Sequence, residues 1–442
     1  MRASKVLDRM LAGFATSRWT VPSLIALAIG VRLALILLLP QHPYSDGEWY
    51  LVRAREIAQG MGYQEAGVPT AFWPVGYPAM LAASMIPFGP GLFGPILLNL
   101  IAIAATIALI LWFGRTLRID ALGSRAAALL YALYPAHIVY AGQAVTETVA
   151  VAMIMAAFAL LIAGRGRWWM LLLAGFAFGA CTLVRAQMLL FPAGAIVALW
   201  LVYRDMNWRK ALVATLIVYA GMAAVVAPWT IRNQQQMHAF VLVSTNGGEA
   251  LYTGANDQAT GDWFAWEHTP LWDRSGYPFS QRVQYQVEID RAFRRLSWDW
   301  IEANPLRWTA LGFKKMGLLW LKDSDAFWSL DKSYPQARTG WTLLQAANQL
   351  YYLVLLGLGT VGLIAGLRGL IRRDWATAPL ALLGCMPLFA TITAFGFTGQ
   401  VRYHHPAMPF LVIAAGWTLA ALARMRRARL ARSNVAIMPS FA

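Results

Sequence analysis

The sequence predicts an all-α polytopic membrane protein. Of its 442 residues 59% are hydrophobic and only 13% charged, against about 25% charged in soluble domains. Apolar runs recur along nearly the whole chain, and a hydrocarbon core about 30 Å thick takes about 20 apolar residues per helix. No soluble catalytic domain of ordinary size can be cut from it.

The runs are Thr20 to Pro40, Gly91 to Phe113, Ser124 to Tyr140, Thr148 to Ala163, Trp168 to Leu183, Gln187 to Tyr203, Ala211 to Trp229, Trp341 to Leu367, Ala376 to Phe397 and Pro406 to Ala423. Window length thus predicts about ten transmembrane helices. The first is read as an uncleaved span: Arg2, Lys5, Arg9 and Arg18 precede it, and Leu39-Pro40-Gln41-His42 is a poor cleavage site.

A net charge of +16 would suggest nucleic acid in a soluble protein. Here the basic residues fall in short gaps between apolar runs: Arg115, Arg118 and Arg125; Arg165 and Arg167; Arg204, Arg209 and Lys210; Arg368, Arg372 and Arg373; and the tail from Arg424 to Arg432. All these gaps land on one side if both termini are cytoplasmic. The balance therefore orients a plasma (inner) membrane protein and implies no nucleic-acid partner. Cys181 and Cys385 both sit inside apolar runs, so neither a disulfide framework nor a zinc knuckle is available.

This topology places Gln41 to Pro90, the turns 142–147 and 184–186, Ile231 to Gly340 and Thr398 to His405 on the outer face. It divides the chain into a transmembrane module with its external loop (1–230), a long external loop (231–340), and C-terminal spans with a basic tail (341–442). Within the long loop, Ser280 to Ala303 carries Ile289, Phe293, Leu296 and Trp300 at helical spacing. That spacing predicts an amphipathic helix lying on the bilayer. Leu306 to Leu321, interrupted by Lys314 and Lys315, reads as an interfacial or re-entrant helix. Trp263, Trp266, Trp272, Trp298, Trp300 and Trp308 read as a membrane-interface belt, with a sugar-stacking platform as the alternative.

The residues suited to chemistry cluster on the outer side. In Tyr44-Ser45-Asp46-Gly47-Glu48-Trp49-Tyr50, carboxylates two apart on a helix do not face each other, so at most one points into a given cavity. Ser45 and Glu48 fit a capping box opening a helix that Gly60 ends. Asp46 is then left free to take a proton from an acceptor hydroxyl. Glu147 starts the helix after the second outer turn, as a helix-dipole partner or as a second acid that orients an acceptor or binds a metal. Arg32 lies inside the first span, where an arginine costs about 2.5 to 3.5 kcal/mol; it either snorkels outward or pairs with Glu147 or Asp46. Arg185 and Arg402 oppose the inside-positive trend and suit a grip on phosphate. Lys314, Lys315 and His404 are further phosphate candidates, while the adjacent His404 and His405 diverge too much to chelate one metal. No Walker loop, dinucleotide fingerprint or His-Glu-x-x-His is present.

Ser45-Asp46-Gly47-Glu48-Trp49-Tyr50 through Ala58-Gln59-Gly60-Met61-Gly62-Tyr63 resembles the first external loop of the GT-C glycosyltransferases, in particular the protein O-mannosyltransferase and lipid A aminoarabinose transferase branch. Trp73-Pro74-Val75-Gly76-Tyr77-Pro78, Thr146-Glu147, Thr182-Leu183-Val184-Arg185, Trp229-Thr230-Ile231-Arg232-Asn233, Ser244-Thr245-Asn246-Gly247-Gly248 and Arg402-Tyr403 to Pro409 are also similar to that group.

The resemblance implies a GT-C-type fold with external loop helices over a cavity. It implies a donor sugar on a polyprenyl phosphate, an envelope acceptor, inversion at the sugar carbon, and a first-loop acid, Asp46 here, as general base. Gly47 separates Asp46 from Glu48 where many relatives have adjacent acids, so Glu48 remains the other candidate. The sequence therefore points to a membrane glycosyltransferase, with a lipid or solute transporter or a lipid-diphosphate-dependent glycan ligase as alternatives.

Overall fold

The computed structural model describes residues 2–436. Its helices are α1 (Arg2–Thr16), α2 (Thr20–Leu38), α3 (Asp46–Ala58), α4 (Gly76–Phe88), α5 (Phe93–Thr116), α6 (Ala121–Ala132), α7 (Pro135–Tyr140), α8 (Thr146–Ala163), α9 (Trp168–Val184) and α10 (Phe191–Val202). They continue as α11 (Trp208–Met237), α12 (Gly247–Gly254), α13 (Pro270–Asp273), α14 (Gln286–Ala303), α15 (Pro305–Leu321), α16 (Trp328–Ser333), α17 (Arg338–Arg372), α18 (Cys385–Gly396) and α19 (Met408–Ala436). Among the described residues, 7 helical segments are long and apolar enough to cross a membrane, and α9 and α10 are shorter apolar helices. The chain is an all-α, multi-pass membrane protein.

The predicted run 124–140 is not one helix. Pro135 has no N–H and breaks it into α6 and α7, which frees carbonyls at the end of α6. Side chains from elsewhere satisfy them, as a water-poor interior requires. Arg32 Nη1 donates to the carbonyls of Ala28 and Ala132, both at 2.9 Å, and Nη2 to that of Tyr131 at 3.3 Å. The Tyr351 hydroxyl donates to the Leu130 carbonyl at 2.8 Å. Arg32 is fully buried, so it neither snorkels nor meets Glu147 or Asp46. Its partners are backbone dipoles that no side-chain pattern announces.

The elements between the membrane-spanning helices form two layers. In the first loop, α3 packs on α4 through Trp49, Tyr50, Trp73 and Tyr77, whose neighbouring ring centroids lie 4.7–5.1 Å apart. Between the two helices a hairpin pairs Gln64–Glu65 with Val68–Pro69, turning through Ala66 and Gly67, both with positive φ as a tight two-residue turn requires. A Cβ at Gly76 would lie 2.6 Å from the Leu183 backbone, so glycine there lets α4 press onto the end of α9. That contact explains the glycine of the Trp-Pro-Val-Gly motif.

The second layer is the long loop. Here α14 is amphipathic as predicted, but Ile289 and Phe293 are buried with Tyr252, Trp266, Leu271 and Trp272 in a small core of their own. The apolar stripe is covered by protein instead of lying on the bilayer. The tryptophan belt is likewise only partial: Trp266 and Trp272 are core, while Trp263 and Trp298 are about half exposed. Gly248, in the first turn of α12, sits hard against α14, where a Cβ would stand 2.1 Å from the Asp290 carbonyl oxygen. Helix α15 packs along α18 and buries Lys315.

Candidate functional site

Helix α3 begins at Asp46, but the predicted capping box does not form. Ser45 has φ +49° and makes no side-chain cap bond; its hydroxyl donates to Asp46 Oδ1 at 3.2 Å. Glu48 is exposed. Asp46 is not free either, because Arg402 Nη1 donates to its Oδ2 at 2.6 Å.

The Asp46–Arg402 pair stands on the wall of a cavity of about 580 Å³, which Glu147 and Asp325 also line. Glu147 opens α8 and is paired with Arg185, the residue that ends α9, at 2.7 Å. Arg185 also donates to Thr146 Oγ1 at 2.9 Å. The turn carrying Glu147 is fixed from below: Asn99 Nδ2 donates to the carbonyls of Ala141 and Gln143 at 3.0 and 2.9 Å, and Gln143 Nε2 to Gln41 and Ala326 at 2.9 and 2.8 Å. Two carboxylate–guanidinium pairs thus occupy one rim, held by buried amides.

Asp325 is the site residue that sequence reasoning missed. It sits in the loop between α15 and α16 and accepts from the Tyr140 hydroxyl at 2.8 Å. Burial pushes its carboxyl above the ordinary range, against the opposing pull of Arg402 and the Tyr140 hydrogen bond. The surrounding Ser324-Asp325-Ala326-Phe327 carries no motif, so only the fold reveals it.

The remaining candidates lie elsewhere. His404 is buried, with Nδ1 2.8 Å from the Leu319 carbonyl and Nε2 3.4 Å from Asp323. His405 stacks on His137 with centroids 3.6 Å apart. Lys314 is exposed and outside the cavity lining. Lys315 is fully buried and its ammonium has no hydrogen-bond partner; burial pulls it down to about 8. With the folded value below the unfolded one, the buried charge costs stability at pH 7, a cost that fades as pH rises from about 8 to 10.5. Lys315→Met is therefore expected to stabilise the fold by about 2 kcal/mol at pH 7. A thermal-unfolding midpoint that gains as much at pH 10.5 as at pH 7 would refute this.

The long loop also lines the cavity, with Glu249, Glu267, Trp263 and Arg282. Burial, with Glu267 and Asp290 adding to it and Arg282 opposing, pushes Glu249 up to about 7. Between the unfolded value of about 4.3 and about 7, the folded state binds more protons, so this group lowers stability as pH rises. Glu249→Gln is expected to flatten that slope. Unfolding midpoints measured from pH 4.5 to 8 test it, and an unchanged slope would exclude the effect.

Among the described residues, no group of three or more His, Cys, Asp or Glu side chains is arranged to hold a metal ion. The arrangement can accept a proton, orient hydroxyls and neutralise an anion.

No family profile and no curated protein sequence matches the chain. Solved structures do. One is the archaeal oligosaccharyltransferase AglB from Archaeoglobus fulgidus in complex with an inhibitory peptide and a dolichol-phosphate, at 12% identity and TM-score 0.52, over 96% of this chain and 53% of that one. Another is the A. fulgidus oligosaccharyltransferase tethered with an acceptor peptide containing the NVT sequon, at 13% identity and TM-score 0.56, over 98% and 53%. ArnT from Cupriavidus metallidurans bound to undecaprenyl phosphate matches at 14% identity and TM-score 0.45, over 92% and 79%. The chain thus spans about half the length of the oligosaccharyltransferase chains it resembles. What it has in common with the oligosaccharyltransferase chains is the fold, an all-α polytopic architecture such as the sequence led us to expect.

Proposed function

We propose that this GT-C-type chain is a membrane glycosyltransferase of the inner membrane, moving one sugar from a polyprenyl-phosphate carrier to an envelope acceptor on the external face. The observation that carries this reading is the Asp46–Arg402 ion pair on the wall of a cavity that Glu147 and Asp325 also line. A carboxylate and a guanidinium side by side suit the two ends of glycosyl transfer, one taking a proton and the other meeting the leaving phosphate. The oligosaccharyltransferase of the same fold that was solved with a dolichol-phosphate supports a lipid phosphate as the leaving group.

In this reading Asp46 takes the acceptor hydroxyl proton, and the acceptor oxygen forms its bond to the sugar carbon from the opposite face. The carbon–oxygen bond to the phosphate breaks, and its electron pair leaves on the phosphate, which Arg402 neutralises. Arg402 gives Asp46 only its Nη1, and its Nε has no partner, but the charge it shares with an arriving phosphate is drawn from the carboxylate. The entering donor therefore draws it off the carboxylate and unmasks the base. Glu147, held by Arg185, and Asp325, held by Tyr140, orient the acceptor. Positive charge developing on the sugar is favoured by these carboxylates.

The test is incubation of the purified full-length protein with a radiolabelled polyprenyl-phosphate sugar and a membrane acceptor fraction. Label in the acceptor with release of free polyprenyl phosphate supports the proposal. A requirement for a lipid diphosphate would indicate a glycan ligase, and translocation without bond cleavage a transporter.

A further inference from the structure

A second pocket lies at the opposite end of the molecule. It is lined by Leu201 in the last turn of α10 and Arg204 just past it, and by Leu370 in the last turn of α17 with Arg373 and Trp375 just past it. Helix α17 starts beside α16, whose Trp328 and Ser329 line the external cavity, and its 35 residues span about 50 Å. That length exceeds the 40–45 Å of a bilayer with its headgroups. The pocket therefore sits at headgroup level in the leaflet opposite the cavity.

Its chemistry is divided by depth. Leucines from two apolar helices form one part, and two arginines and an indole form the other. Arg204 lies over the Trp375 ring with its guanidinium carbon 4.5 Å from the centroid, and among the described residues no carboxylate pairs with either arginine. The nearby acids are engaged elsewhere: Asp374 accepts from the Ala376 N–H and the Thr377 hydroxyl at 3.1 and 2.7 Å, and Asp205 faces Arg165 at 4.0 Å. The Trp375 Nε1–H is buried without a hydrogen-bond partner. An orphan donor beside Arg204, in a pocket that a second exposed guanidinium also lines, leaves the lining with donors and no acceptor.

We infer that this pocket binds the phosphate of an anionic phospholipid, with Arg204, Arg373 and the Trp375 indole on the headgroup and Leu201 and Leu370 along the acyl chains. Basic pockets between spans at this depth take anionic headgroups, and an amphiphile satisfies both halves of the lining. The inference is independent of the reaction proposed for the external cavity.

The test measures lipid retention by the full-length protein in detergent by native mass spectrometry, with phosphatidylglycerol, phosphatidylcholine and inorganic phosphate as probes. Phosphatidylglycerol is expected to bind at least about tenfold tighter than phosphatidylcholine. The double variant Arg204→Gln/Arg373→Gln should weaken phosphatidylglycerol by about thirtyfold, about fivefold per charge. Trp375→Phe, which keeps the ring and removes the donor, should cost about threefold. Arg115→Gln, at the same end but outside the pocket, should change nothing. Equal retention by the double variant, or an equal loss in Arg115→Gln, would overturn the site. Displacement of phosphatidylglycerol by equimolar inorganic phosphate would overturn its assignment to a lipid.

Discussion

Asp46→Asn is expected to lower turnover by about 10²–10⁴-fold, the range that general-base removal costs, while leaving donor binding intact or tighter. Asparagine keeps the size of the side chain but cannot take a proton at neutral pH. It also breaks the 2.6 Å ion pair and releases Arg402, which is then free for the donor phosphate. A residue that merely held the fold would lose both properties together. Glu48→Gln is the control: Glu48 is exposed and does not line the cavity, so its loss should leave the rate within about twofold, as for surface changes away from a site. The measurement is transfer of labelled sugar alongside retention of labelled polyprenyl phosphate on the same preparations. Turnover surviving in Asp46→Asn and failing in Glu48→Gln would reverse the assignment.

The membrane architecture was legible because hydrophobic length is a one-dimensional property, and most of the apolar runs correspond to helices. The break at Pro135 was written in the sequence too, but an intramembrane proline does not always divide a helix; here Arg32, Tyr351 and Asn348 stabilise the divided form. The Asn348 carboxamide oxygen accepts from the Ala136 N–H at 3.0 Å. Side-chain pairing was much less legible. Arg402 meets Asp46 across 356 positions and Arg185 meets Glu147 across 38, so neither partner could be named from local spacing. Each charge stood out as an isolated oddity, and only the packing of α3, α8, α9 and the segment before α19 pairs them. Asp325 escaped notice because a lone Asp in a polar loop is ordinary; what sets it apart is Tyr140, 185 positions away. The amphipathic pattern of α14 was read correctly as a stripe but assigned to the wrong cover. Periodicity reports which face is apolar, not whether lipid or protein lies against it.

Glu147→Ala is expected to destabilise the protein by about 3–5 kcal/mol, the cost of stripping one partner from a buried ion pair. The Glu147 and Arg185 side chains are only 4% and 7% exposed, and the partners left to Arg185 would be the Thr146 hydroxyl and little else. Arg185→Ala should cost less, because Glu147 lines the cavity and water entering there can hydrate the abandoned carboxylate. The double variant Glu147→Ala/Arg185→Ala removes both charges and should fall well short of the sum of the single losses, since neither charge is left unpaired. Apparent unfolding midpoints of the four proteins in one detergent provide the comparison. Additive losses would mean that the two side chains act separately, and the pair would then not be what holds α8 against the end of α9. A sub-additive cycle would fix Glu147 as a pre-positioned carboxylate. In the proposed reaction that distinction matters, because a carboxylate held by a buried arginine is already in place when the acceptor arrives.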